Sequence, residues 1–134
     1  VPNPIPLRGP PVVAVPTTAG TGSEVTRAAV ISDPETQEKM LLMSSYLVAT
    51  AAIVDYRLTM TCPYRVSADS GIDALVHAVE AYVSVKANSM TDANALRAMK
   101  LISANLRTVC EEPQNEAARE AMMLGATLAG LAFS

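Results

Sequence analysis

The spacing of apolar positions changes character about halfway along the chain. In the first half, short apolar runs alternate with turn-forming residues. Val12 to Val15 is one such run, halted by Pro16 and short enough for a buried strand. Residues 26–32 (TRAAVIS) read as a second strand, Glu38 to Met43 as a third and Ala51 to Val54 as a fourth. Asp33-Pro34-Glu35-Thr36 is a turn signal between the second and third. The lead-in, residues 1–11 (VPNPIPLRGPP), is expected to be extended, because proline fixes φ and the residue before it avoids the α region.

From Pro63 onward only Pro113 interrupts the chain, and the period becomes helical. Pro63 suits a first helical turn. Ile72, Leu75, Val76, Val79 and Val83 follow the three-four spacing of an amphipathic helix. A second helix is predicted from about Thr91 to Leu106, with Ala95, Leu96, Met99, Ile102 and Leu106 inward and Ser89 or Thr91 as its cap. A third runs from about Asn115 towards the end, with Met122, Leu124 and Leu128 in its apolar part. The shift near residues 58–63 divides the chain into a strand-rich unit, 1–60, and a helical unit, 61–134.

Composition narrows the function classes. Half of the 134 residues are hydrophobic, but there is no Trp, one Phe and four Tyr, so the core has to be built from Ala, Val, Leu, Ile and Met. The net charge of −3 carries no basic stripe, which argues against a nucleic-acid partner. No apolar run reaches the roughly 18–20 residues of a membrane span. Cys62 and Cys110 lie far apart without metal-ligand spacing, which points to buried thiols in a reducing, cytoplasmic setting. The prolines of the lead-in break up any signal-peptide pattern, and the absence of an initiator methionine leads us to expect a fragment or a processed chain.

Two constellations carry chemistry. The first is PTTAGTGSE, residues 16–24, directly after a predicted strand. Its small residues let backbone approach a ligand, and its hydroxyls and free N–H groups suit a ribose, amide or phosphate. It is neither a P-loop nor a G-x-G-x-x-G fingerprint, and a plain surface turn has the same composition. The second is GIDALVHAVE, residues 71–80, on the first long helix. Asp73 and His77 are four apart and share a face, with Asp69 one turn before and Glu80 three residues on. Carboxylate with imidazole suits zinc, iron or a related ion, although a catalytic site normally wants three protein ligands. His77 is the only histidine, and a hydrogen-bonded surface histidine is the bland alternative.

PTTAGTGSE, followed some fifty residues later by GIDALVHAVEAY, resembles the iron-containing, group III alcohol dehydrogenases. The resemblance covers nearly all of the chain after Pro10. It implies an α/β fold followed by an all-α unit: the end of a nucleotide-binding α/β domain, then the start of a helical metal-binding domain. It implies that Asp73 and His77 are two of four metal ligands. Thr17, Thr18 and Thr21 then belong to a nucleotide-contacting loop, and Thr26 lines the cofactor. Lys39 falls near the nicotinamide ribose, where the alternative is an ordinary solvated lysine. Leu58 flanks the adenine, and Phe133 lines the substrate channel. The family's two remaining ligands, both histidines, fall beyond residue 134, and its glycine-rich pyrophosphate loop falls before residue 1. Ala28 stands where some members carry asparagine, which leans towards a simple primary alcohol or aldehyde.

The activity implied is hydride transfer between such an alcohol and NAD or NADP, with Fe2+ or Zn2+ as Lewis acid. No residue stands out as the general base. Glu80 reads as an exposed helix acid, with Lys86 or Arg97 as candidate partners. Two alternatives remain: a non-catalytic remnant that self-associates as a homo-oligomer through uncovered apolar surface, and a generic nucleotide-binding module.

Overall fold

A computed structural model of the chain describes residues 9–134, so most of the proline-rich lead-in lies outside the described residues. Strand β1 (Val13–Ala14) pairs in parallel with β4 (Ala51–Ala52), Val13 opposite Ala51. Between them, β2 (Ala28–Ser32) and β3 (Lys39–Met43) form an antiparallel hairpin, Ala28 opposite Met43 and Ser32 opposite Lys39. The predicted turn closes this hairpin. Asp33 Oδ1 accepts from the N–H groups of Glu35 at 2.8 Å and Thr36 at 3.4 Å, and Gln37 takes the left-handed region at φ 60°.

The strands are shorter than the apolar runs that announce them, and the expected burial of residues 12–15 is not found. Val13 is 57% exposed, and Val12 and Val15 are exposed as well. A two-stranded pair has only one neighbour per strand, and no layer covers this one among the described residues.

The core lies among three helices, α1 (Tyr64–Val83), α2 (Ser89–Glu111) and α3 (Glu116–Phe133). Pro63 stands at the N-cap of α1. Asn88, rather than Ser89 or Thr91, caps α2; its side chain accepts from the N–H groups of Met90 and Thr91, and Thr91 Oγ1 accepts from the Asn88 N–H at 2.8 Å. Thr91 is thus the reciprocating member of a capping box. Asn115 caps α3 by accepting from the Ala118 N–H.

The face that α1 buries differs from the predicted one. Ser67, Gly71, Ala74, Ala78 and Ala81 turn inward, while Ile72, Val76, Val79 and Val83 are exposed and Leu75 is half-buried against the core. Both stripes have helical spacing. The small one wins because side chains of the neighbouring helices fill the space over it: a Cβ on Gly71 would strike the Leu106 and Met122 side chains, and one on Gly125 would lie 2.7 Å from Ile102 Cγ1. The same preference buries Ala95 and Ala98 of α2 and leaves Leu96 exposed, whereas Ile102 is fully buried and Met99 and Leu106 pack against the core. On α3, Met122 is buried, Leu128 packs against the core and Leu124 is 45% exposed. The two thiols are half-buried rather than buried.

Candidate metal and cofactor site

Helix α1 carries Asp73 and His77 one turn apart, and Asp73 Oδ1 lies 3.6 Å from His77 Nε2. That is too long for a hydrogen bond. It is close to the separation of about 3.4 Å expected of two tetrahedral ligands that each sit about 2.1 Å from one ion. The pair therefore fits a shared divalent metal. His77 Nδ1 is buried with no hydrogen-bond partner, where a ligating histidine normally donates to a neighbouring acceptor. Among the described residues no group of three or more His, Cys, Asp or Glu side chains comes together to hold a metal, so the pair is only part of a coordination sphere.

Phe133, at the end of α3, packs its ring against the imidazole with centroids 4.8 Å apart and planes tilted by 52°. An open cleft of about 550 Å³ begins here, lined by His77, Glu80 and Phe133 together with Arg27, Lys86 and Thr91. Glu80 is an exposed acid, and no ion pair ties it to Lys86 or Arg97 among the described residues. Asp69 pairs instead with Arg65 at 3.3 Å on the outside of the helix.

The threonine loop lies against the same helical unit. Gly22 adopts φ 61°, and a Cβ there would stand 2.7 Å from the Gly130 Cα on α3. The approach is reciprocal, since a Cβ on Gly130 would meet the Gly22 carbonyl oxygen at 2.8 Å. Gly20 is as tightly placed over Ser70 of α1. Glu24 is buried, and its Oε1 accepts from Thr127 Oγ1 at 2.8 Å. A Cys62 Sγ hydrogen bond to the Thr17 carbonyl, 3.3 Å, holds the start of the loop. Thr17 and Thr21 remain exposed, Thr18 is half-buried and Thr26 is buried at 4% exposure.

Lys39 is exposed at the hairpin opposite Ser32, and Leu58 is exposed in the 3-10 turn Tyr56–Thr59. No hydrogen bond or ion pair ties Lys39 to the threonine loop among the described residues. Sequence reasoning missed the anchoring of this loop through Gly22, Glu24, Thr127 and Gly130. The signal available was a carboxylate closing an otherwise small and neutral motif.

Comparison with known proteins decides the ancestry. The profile described as iron-containing alcohol dehydrogenase matches residues 2–56, and that of the Fe-containing alcohol dehydrogenase family, C-terminal, matches residues 67–134. The chain belongs to the iron-containing alcohol dehydrogenase family.

A sulfoacetaldehyde reductase of Bilophila wadsworthia is 44% identical over 133 residues, 99% of this chain and 33% of that protein. Long-chain-alcohol dehydrogenase 1 of Geobacillus thermodenitrificans is 48% identical over 126 residues, 94% of this chain and 31% of that protein. The crystal structure of sulfoacetaldehyde reductase from Bifidobacterium kashiwanohense in complex with NAD+ superposes with a TM-score of 0.93 at 38% identity, over 97% of this chain and 35% of that one. The chain thus spans about a third of the length of these relatives. Its fold is that of the family, the end of an α/β unit followed by helices.

Proposed function

We propose that this chain supplies two metal ligands and part of the nicotinamide site of an oxidoreductase acting between a primary alcohol or aldehyde and NAD or NADP. The observation that carries this reading is the convergence of Asp73 Oδ1 and His77 Nε2 beside Phe133 in a chain of this family. Asp73 and His77 would hold a divalent ion, Fe2+ or Zn2+, whose bound form supplies Lewis acidity towards the alcohol oxygen.

The remaining roles are carried over from the family resemblance. Asp73 brings negative charge to the site, and the Phe133 ring fixes one face of the imidazole while excluding water from it. Thr17, Thr18 and Thr21 offer hydroxyls and backbone N–H groups to the cofactor from a loop whose backbone is held on α1 and α3. In the same reading Thr26 lines the cofactor, Lys39 lies near the nicotinamide ribose and Leu58 flanks the adenine. In this reading residues 1–60 belong to the nucleotide-binding domain and residues 61–134 to the metal-binding domain. Ala28, standing where some members carry a polar asparagine, favours a simple primary alcohol or aldehyde.

A chimera tests this. The chain replaces the matching segment of the Geobacillus long-chain-alcohol dehydrogenase, to which it is 48% identical. The chimera is expected to oxidise alcohols with a nicotinamide cofactor in a metal-dependent way, and His77→Ala to abolish the rate. A folded chimera whose rate survives both Asp73→Ala and His77→Ala contradicts the assignment.

A further inference from the structure

We infer that Glu24 and Thr127 are positioning residues for the nicotinamide cofactor, acting through the loop they hold on α3, an inference that rests on the reading of Thr17, Thr18 and Thr21 as cofactor-facing. Exposure alternates along the end of that loop: Thr21 and Ser23 are exposed, while Gly22 and Glu24 are buried. Hydroxyls offered to a ligand are thus interleaved with residues that anchor the backbone. Thr21 and Ser23 are also joined to each other, Thr21 Oγ1 donating to Ser23 Oγ at 3.1 Å and accepting from the Ser23 N–H at 3.3 Å. A displacement of Glu24 therefore passes to Ser23 and on to Thr21.

The anchor follows one face of α3 and its cap. Thr127, Gly130 and Ser134 are three and four residues apart, the spacing of neighbours on a helix surface. Thr127 Oγ1 donates to Glu24 Oε1 at 2.8 Å, Gly130 meets Gly22, and Ser134 Oγ donates to the Val25 carbonyl at 3.1 Å. The glycine contact limits how near the loop comes, but it does not fix the rotation of the loop. The Glu24–Thr127 bond is directional and does. Glu24 is 5% exposed, Thr127 supplies its one side-chain hydrogen bond among the described residues, and no cation there pairs with it. A carboxyl buried with a single neutral donor is less favourable than an apolar side chain of similar size. Stability alone therefore does not account for an acid here, whereas the setting of the loop does. The same helix carries Phe133, whose ring lies 4.8 Å from the His77 imidazole. One helix thus places the cofactor-facing loop and the imidazole relative to each other.

Amide hydrogen exchange on the full chain tests the anchor. Thr127→Val is expected to speed exchange roughly tenfold at Val25 and Thr26, whose N–H groups donate to the Gly22 and Ser23 carbonyls, while the amides of α2 keep their rates. Thr127→Ser keeps the hydroxyl and is expected to restore slow exchange. If Thr127→Val does not fold, Thr127→Ala removes the same donor and carries the same expectation. Loop exchange that is unchanged, or exchange raised equally throughout the chain, overturns the inference. Kinetics of the chimera with the Geobacillus dehydrogenase test the consequence. Thr127→Val is expected to raise KM for the nicotinamide cofactor roughly tenfold, with KM for the alcohol and the metal content unchanged, and Thr127→Ser to bring it back. A chimera that turns over with a cofactor KM indifferent to Thr127→Val overturns the inference. A chimera without turnover contradicts the dehydrogenase reading instead, and the exchange rates of the chain then decide whether α3 sets the loop.

Discussion

Thr127 on α3 donates a 2.8 Å hydrogen bond to the buried carboxylate of Glu24, across 103 residues of sequence. This contact ties the last residue of the threonine motif to the helix that carries Phe133. Thr127→Val leaves a buried carboxylate oxygen without its donor and should destabilise the chain by about 1–3 kcal/mol. Glu24→Gln keeps an oxygen acceptor for Thr127 and should cost less. Chemical denaturation of the two variants checks the order; equal losses would mean that the contact contributes little.

Gly22 and Gly130 meet backbone to backbone. Gly22→Ala adds a left-handed strain at φ 61° to a collision with the Gly130 Cα, and neither partner is a flexible side chain that can swing away. The expected loss is about 2–4 kcal/mol, visible as a lower midpoint in thermal unfolding. A Gly22→Ala variant that unfolds like the parent would show that the loop does not rest on α3.

Acid should loosen the turn that precedes α1. The Arg57 guanidinium donates to Asp55 at 2.6 Å and 2.9 Å, the Arg57 N–H adds a bond at 3.0 Å, and together they hold the Asp55 carboxyl below its ordinary value. A carboxyl lowered in the folded state stabilises it above the unfolded value of about 3.9, and that contribution is lost as pH falls through the folded value. Carboxyl NMR titration should give Asp55 a midpoint below the usual carboxylate range, and Asp55→Asn should remove part of the fall in unfolding midpoint at acid pH. A midpoint in the ordinary range contradicts this.

The exposed stripe of Ile72, Val76, Val79 and Val83 on α1, with the open edges of the β2–β3 hairpin, leaves apolar surface and unpaired strand groups facing solvent. The 134-residue chain by itself should therefore self-associate, and Val79→Lys should shift it towards monomer. Light scattering that finds a monomer at high concentration goes against this.

Much of the architecture is legible from residue pattern alone. The three helices fall where three-four spacing puts them, and Asp33-Pro34 turns the hairpin. What the pattern misassigns is the direction in which α1 faces. Ile72 and Val76 outscore Ala74 and Ala78 in hydrophobicity, yet the small residues make room for large side chains of the neighbouring helices, which a hydrophobic count undervalues. The pair proposed as metal ligands, Asp73 and His77, was legible as a carboxylate and an imidazole four residues apart on one helix. The Glu24–Thr127 contact and the burial of Arg119 were not, because each depends on contacts between residues far apart in sequence.

The most direct test of the central claim uses the single histidine. His77 provides the only imidazole signals of the chain, so they are assigned by inspection. Titration with Co2+, a paramagnetic stand-in for Fe2+ or Zn2+, should broaden the His77 ring and Asp73 side-chain resonances first, at the same metal concentration. Asp73→Asn should move the His77 response to higher metal. Metal that saturates other carboxylates while the His77 ring stays sharp would contradict the assignment of Asp73 and His77 as a metal pair.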